Sequence, residues 1–349
     1  FSKEFVFVID ATKNTTENVG YNSLHWTFSP QNSSQGETWG RSQPNKSFYD
    51  WAHGTYQDDP RLKVTFISKW VKYVNKMPSD EWQAAYPYVM KSFNDTVWVD
   101  SIVRPGRPPI KVPVVTTHRE LVDSIDYING GYEDPTNPKV EELDSLLQEA
   151  YCKTKGPSDW NINDWPYFGK YMTNDCSGRY ANNNLYVYRF ADFLLLMADV
   201  ENELGNTGTA VSLVNRVLSR ARASVKPAST YPKDLSAGLS KEAVREYIFH
   251  ERLFELAAEF DGFTDTRRRG IEWRKKLLER NNNHHITSAC YHYGLENGYA
   301  APWREYWYPS DGEDWNSYLV RNQLIPIPQM ELTTNDMISI NDQNPGYSK

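Results

Sequence analysis

Cysteine is almost absent from this 349-residue chain: Cys152, Cys176 and Cys290 are the whole complement, with no C-x-x-C among them. That excludes a disulfide framework and a cysteine-built zinc site, and an odd number leaves room for at most one disulfide beside a free thiol. Long apolar runs are missing as well. The best candidate, Phe190 to Val200, is interrupted by Asp192 and Asp199, so nothing approaches the ~20 apolar residues of a membrane-spanning helix. The first ten residues lack the basic start, apolar stretch and cleavage site of a secretion signal, although a mature or trimmed chain would read the same. A basic surplus is lacking too. Lys and Arg total 38 against 45 Asp and Glu, a net charge of −7, which is the wrong balance for a nucleic-acid partner. The one basic run, Arg267-Arg268-Arg269, follows a Glu-rich helical stretch and reads as structural pairing.

Catalytic signatures are equally scarce. His250-Glu251 begins an H-E-x-x-H motif, but Phe254 stands where the second His belongs. Glu246 and His250 have the wrong spacing for the Glu-x-x-His pairs of di-iron bundles. His284-His285, in an Asn-rich stretch read as a solvated loop, project divergently. Asp311, Glu313 and Asp314 lack the regular alternation of a calcium loop. No G-x-S-x-G, phosphate loop or nucleotide fingerprint occurs. Glu251, Glu255 and Glu259 recur every four residues, as on one helix face. Hydrolytic carboxylates instead face each other across a bound sugar, usually from different elements. The expectation is therefore ion pairing between stacked helices, with Arg245, Arg252, Arg267 and Arg268 as partners. No catalytic residue, metal or cofactor is predicted.

Aromatic residues are what the chain has in excess: 12 Trp, 23 Tyr and 14 Phe make up 14% of it. Many stand in polar surroundings, as Trp39 does in Gly-Glu-Thr-Trp-Gly-Arg and Trp315 in Asp-Gly-Glu-Asp-Trp-Asn-Ser. Rings so placed tend to keep one face open, which suits stacking on the flat apolar face of a sugar or peptide. They concentrate in two stretches read as loops, residues 11 to 60 and 281 to 322.

Between these loops the pattern is mainly helical. A strand is predicted at Phe1 to Ile9, with Phe5, Phe7 and Ile9 on one face, and another strand-like stretch at 61 to 75. Residues 97 to 116, with Pro105, Pro108, Pro109 and Pro113, suit extended edge segments. Helices are predicted at 138 to 152, from about Phe190 to a stop at Gly205, from Thr209 to Ala223, and from an N-cap at Ser240 to Phe260. The last of these, from Ser240, is apolar on two sides and is expected to be sandwiched. Two helices joined by a short turn and followed by a sandwiched third imply tetratricopeptide-like stacking. The chain is read as one unit: a loop- and strand-rich region to 137, a helical region from 138 to 270, and an aromatic loop with an extended tail from 271 to 349.

Several ordered motifs carry a family likeness. The tail reads Leu324-Ile325-Pro326-Ile327-Pro328-Gln329, then Glu331, then Gln343-Asn344-Pro345-Gly346-Tyr347. Upstream stand Lys3-Glu4-Phe5-Val6-Phe7, Asp59-Pro60-Arg61-Leu62, Tyr188-Arg189-Phe190-Ala191-Asp192, Asn215 with Arg220 and Ala221, and His250-Glu251-Arg252 through Glu255, Glu259, Asp265 and Arg267-Arg268. In this order they resemble the SusD/RagB family of outer-membrane nutrient-binding lipoproteins, and the chain looks like roughly the last two thirds of a member. There are departures: Met197-Ala198-Asp199 replaces Tyr-Ala-Glu, Leu218 replaces an Arg, Asp261-Gly262 follows Glu259-Phe260 where Glu-Gly-x-Arg is usual, and Asn335-Asp336 replaces Asn-Pro.

The resemblance implies a SusD-like fold, mainly α with long loops and short strands. It also implies cell-surface capture of oligosaccharide or peptide, delivery to a SusC-like TonB-dependent transporter, and a lipid anchor upstream of this chain. The aromatic surplus and acidic balance favour a neutral glycan, with peptide cargo or a protein-binding scaffold as alternatives. The expected ligand residues are Tyr21, Trp26, Trp39 and Trp51, with Arg41 as a polar clamp. Tyr299, Trp303, Trp307 and Trp315 form a second cluster that faces either ligand or transporter.

Overall fold

A computed structural model describes residues 4–11, 22–44, 46–84, 88–101, 110–123, 166–259, 261–287, 314–345 and 347. Strand β1 (Phe5–Ile9) precedes the helices α1 (Leu24–Phe28), α2 (Lys46–Thr55) and α3 (Leu62–Thr65). Strands β2 (Phe66–Ile67), β3 (Lys69–Val74), β4 (Met77–Ala84), β5 (Tyr88–Ser101) and β6 (Ile110–Asp123) follow, then β7 (Tyr167–Phe168), β8 (Cys176–Ser177), β9 (Tyr180–Ala181) and β10 (Leu185–Arg189). The described chain continues through α4 (Phe190–Glu203), α5 (Thr207–Ala223), α6 (Lys241–Glu255), α7 (Asp261–Arg268), α8 (Ile271–Thr287), α9 (Trp315–Arg321) and α10 (Gln329–Thr334). Every described sheet is two-stranded: β1 with β10, β2 with β7, β3 with β4, β5 with β6 and β8 with β9.

The core is the helical trio that the periodicity predicts. Gly205, at φ +88°, turns the chain between α4 and α5, a conformation that costs glycine little. Ala191, Leu194, Leu195 and Ala198 of α4 then pack on Val211, Val214, Val217 and Leu218 of α5, with Val244 and Ile248 of α6 closing the cluster. Small residues at Ala191, Ala198 and Ala210 let the helices approach closely, and each fully buried Val or Leu contributes about 1.5–3 kcal/mol. Ser240 caps α6 by accepting the Ala243 N–H at 3.2 Å. Asn215 of α5 clamps the following loop: its amide donates to the Leu235 carbonyl and accepts the Leu235 N–H.

A second cluster docks α2 on α6. Tyr49, Ala52 and Tyr56 recur at helical spacing and pack with Phe66 and Phe254, and the Tyr56 and Phe254 rings stack at 4.1 Å. Residues 46–55 are thus a helix where a loop is expected, because aromatic residues at this spacing bury one face. Residues 281–287 likewise continue α8 through the Asn-rich stretch and its two His residues. The helical penalty of such residues is a fraction of a kcal/mol each, which a helix already nucleated upstream tolerates. The stretch from 61 to 75 begins with the helical turn α3 before its strands. The predicted helix at 138–152 lies outside the described residues.

Charged residues join these layers. Asp59 accepts the Arg61 backbone N–H at 2.9 Å across Pro60, and Arg61 reaches from this turn to Asp59, Glu251 and Glu255. Arg189 joins Glu4, Glu255 and Glu259, and Arg220 and Lys170 add to Glu255 and Glu259. The ion pairing expected of the glutamates is present, but the partners differ from the prediction. Arg245 pairs with Glu203, Arg252 with Asp192 and Asp265, and Arg268 with Asp199 and Asp265. Arginines from distant elements meet the glutamates because α6 is central, so its carboxylates face its neighbours rather than its own turns.

Nor does Glu259 share the helix. α6 ends at Glu255 and Ala258 takes φ +65°. Lys170 Nζ and Arg189 Nη2 bind the Glu255 carbonyl, and Tyr171 Oη binds that of Ala258, so these acceptors are satisfied from outside the helix.

The tail is not simply extended. It forms α10 and a 3-10 turn at Ile340–Asp342, then folds back on itself. Gln343 accepts the Ile327 N–H and donates to the Ile327 carbonyl, Asn344 donates to the Ile325 carbonyl, and Tyr347 Oη donates to that of Leu324. The two halves of the tail motif are therefore each other's hydrogen-bond partners.

Candidate functional site

The site is built from α1 and the polar segment after it. His25 is fully buried and is held between Ser29 Oγ, 3.3 Å from Nδ1, and Ser34 Oγ, 3.0 Å from Nε2. Burial lowers its pKa to about 4, against a backbone hydrogen bond with Tyr171 that works the other way. The imidazole is thus a neutral bracket between helix and segment.

From there the segment runs back along α1. Trp39 N–H donates to the Trp26 carbonyl and Ser42 N–H to that of Thr27, both at 3.0 Å. Glu37 N–H donates to Gly178 in the β8–β9 turn. These bonds place the Trp26 and Trp39 rings 5.9 Å apart, tilted by 41°. The Arg41 guanidinium lies 4.7 Å from the Trp26 ring centre and 5.0 Å from that of Trp39. Trp39 is 49% exposed, so an indole surface stays open to a ligand.

Gly40 makes this juxtaposition possible. Its φ is +57°, and a Cβ there would lie 2.2 Å from Cε1 of the buried Tyr167. Tyr167 cannot yield easily, since it is fully buried against Trp70 at 5.3 Å. Gly40→Ala is expected to cost about 2 kcal/mol through left-handed strain plus overpacking. The loss is measurable by urea denaturation, together with weaker ligand binding because Trp39 and Arg41 flank the glycine.

Of the predicted residues, the structure brings together Trp26, Trp39 and Arg41. Trp51 is not with them: it lies on α2 within the second aromatic cluster, 5.6 Å from the Phe48 and Tyr56 rings and 5.4 Å from His250. Its helical face points into packing, which removes it from an open platform. Tyr21, Tyr299, Trp303 and Trp307 lie outside the described residues. Trp315 begins α9, where Asp314 caps the helix by accepting the N–H groups of Asn316 and Ser317. This acid thus serves a helix end. His25, Ser34, Gly40 and Tyr167, which hold the platform, were missed. A glycine wedged between Trp39 and Arg41 was the one visible signal.

A separate cleft of about 1280 Å³ is lined by Tyr49, His53, Leu62, Phe66 and Lys69, among others, and by none of the predicted residues. Its wall carries the 2.8 Å hydrogen bond between Tyr49 Oη and Ser68 Oγ.

A family model described as the SusD family matches residues 3–347. The chain belongs to the SusD family. SusD-like protein P2 of Formosa agariphila is 31% identical over 172 residues, 49% of this chain and 27% of that protein. SusD-like protein P25 of the same organism is 35% identical over 111 residues, 31% of this chain and 20% of that protein. Among solved structures, a SusD homolog from Bacteroides thetaiotaomicron aligns over 99% of this chain and 52% of its own, at 15% identity and a TM-score of 0.49. A SusD superfamily protein from Parabacteroides distasonis aligns over 99% and 50%, at 16% identity and a TM-score of 0.44. The chain therefore spans about half the length of these solved SusD proteins. Motif residues of the family, Asp59, Arg61, Arg189, Asp192, Glu251, Arg252, Glu255 and Asp265, all take part in the ion pairs that join its layers.

Proposed function

We propose that this chain belongs to a cell-surface protein that captures oligosaccharide without chemistry and passes it to a TonB-dependent outer-membrane transporter. The observation that carries the reading is the Trp26–Trp39 platform, with Arg41 against it and one indole half-exposed. Membership of the SusD family supports the same role. On this reading the protein is held at the outer leaflet by a lipid anchor. Among the described residues, no helix is long and apolar enough to cross a membrane.

The fate of the carboxylates supports capture over hydrolysis. Glu251 and Glu255 are buried and joined to arginine, whereas a glycosidase needs two carboxyl groups open to the scissile bond. Aromatic stacking adds ~0.5–1.5 kcal/mol per contact beyond the buried area, so a small open platform suits affinities of roughly micromolar to millimolar. Such binding lets a carrier release its cargo.

Affinity electrophoresis across a panel of polysaccharides, with casein-type peptides as competitors, tests the proposal. Retardation by a glycan is expected, and Trp39→Ala should raise Kd about 10-fold by removing one stacking surface and the area it buries. Peptide binding without glycan binding would overturn the choice of cargo. Retardation that Trp26→Ala and Trp39→Ala both leave unchanged would overturn the choice of site.

A further inference from the structure

Resting on that reading of the site, we infer that its ligand is an oligosaccharide bearing an oxyanion, carboxylate or sulfate, which Arg41 binds while a sugar ring stacks on Trp39. The protein's bulk charge points instead to a neutral glycan, and the local geometry departs from it.

The first ground is the state of Arg41. It is exposed, and among the described residues its guanidinium makes no ion pair and no hydrogen bond, only the two ring contacts. Glu37, four residues away, does not reach it. Buried arginines such as Arg61, Arg189 and Arg252 direct their donors to carboxylates. The exposed Arg216 is the nearer parallel to Arg41, 5.5 Å from the Phe190 ring centre with no ion pair among the described residues, but it has one ring beside it rather than two. Arg41 is thus an exposed cation whose five N–H donors are uncommitted.

The second ground is that this cation is held in place. Residue 41 lies between two backbone bonds that tie the segment to α1, from Trp39 N–H to Trp26 and from Ser42 N–H to Thr27. The preceding glycine is wedged on Tyr167. Two indoles attract the guanidinium by their negative faces, which leaves its in-plane N–H edges for a partner. A planar fork of donors fitted beside an apolar surface is the geometry that binds carboxylate or sulfate in bidentate fashion. A neutral sugar would use the indole but gain little from the charge, while sharing the rings with a cation.

The test compares oligosaccharide pairs that differ only in charge. Oligogalacturonate is set against its methyl ester, and a sulfated galactan oligosaccharide against its desulfated form. Binding to the protein, Arg41→Met and Trp39→Ala is measured by calorimetry at 50 and 300 mM NaCl. Methionine keeps an apolar stem beside the rings while removing the donors.

At least one charged ligand is expected to bind 10-fold or more tightly than its neutral partner. Arg41→Met should abolish that preference, bringing the charged ligand down to the affinity of its neutral partner, and in the parent the preference should shrink at the higher salt. Which pair responds tells carboxylate from sulfate. Equal binding of charged and neutral partners, insensitive to Arg41→Met but lost in Trp39→Ala, would overturn the inference and leave the capture reading intact. Glycan binding that survives Trp39→Ala as well would overturn both.

Discussion

Arg61→Ala is expected to destabilise the protein by about 3–5 kcal/mol, the usual cost of removing one partner from a buried charge network. Arg61 is 8% exposed as a residue, and its guanidinium serves three acids at once. It contacts Asp59 at 2.7 Å and Glu255 at 2.9 Å, and it pairs with Glu251. It also lies 4.9 Å from the Phe254 ring centre. Without it, Asp59, Glu251 and Glu255 would remain buried with one cation fewer. Glu251 already has a raised pKa because of burial, and its Oε2 has no hydrogen-bond partner among the described residues. Burial pushes Glu255 up too, but Arg220, Arg189 and Arg61 together outweigh it and hold its pKa well down.

The pH dependence identifies the cause of the loss. In the variant Glu251, already raised by burial, loses the Arg61 cation that works against that rise, so its folded-state pKa climbs further above the unfolded one. Its penalty is therefore full at high pH and is relieved as pH falls through the raised value. The gap between parent and variant, measured by urea denaturation at pH 8 and pH 5, should narrow at the lower pH. Arg61→Lys should recover only part of the loss, because one ammonium cannot fork to three carboxylates. A constant gap across pH would mean that lost packing against Phe254, rather than orphaned charge, is responsible.

The same network shows what was legible in the sequence. Apolar spacing in α4, α5 and α6 gave the core helices and the Gly205 turn, because burial of one face sets a period that can be read locally. Ordered motifs gave the family. The pairing of those motifs was not legible: that Glu255 meets Arg61 and Arg189 depends on which elements cross α6, and no local rule carries that. Helix α2 was hidden by its polar composition, although Tyr49 and Ala52 within it and Tyr56 just after it stand at helical spacing. At the site, Trp26, Trp39 and Arg41 could be nominated from aromatic residues in polar surroundings. Trp51 has the same surroundings in sequence yet packs against Tyr56 and His250. A window of neighbours does not distinguish an indole at an open edge from one that a helix turns inward.

Acidification should strike the candidate site before the charge network. His25 is wholly buried, with a pKa of about 4 set mainly by burial, against about 6.5 in the unfolded chain. A depressed histidine pKa means that the unfolded state binds the extra proton first. The contribution of the neutral ring is therefore complete above pH 6.5, is lost progressively as pH falls toward 4, and is constant below. That difference amounts to roughly 3 kcal/mol between pH 7 and pH 4. The paired carboxylates with depressed values, such as Glu203 at about 2 beside Arg245, lose their contribution lower, as pH falls from the ordinary carboxylate range, so the two windows largely separate. Protonation also puts a full charge on a ring that the fold has taken out of water, and that burial penalty loosens the bracket between α1 and residues 29–34. Urea unfolding followed by far-UV circular dichroism reads this stability without depending on any one of the chain's 12 tryptophans. The stability of the parent should fall between pH 6.5 and 4, and glycan affinity with it. His25→Gln should start less stable at pH 7 and show a much flatter dependence across that window. An unchanged slope in His25→Gln would assign the acid sensitivity to other groups and remove His25 as the titrating support of the tryptophan platform.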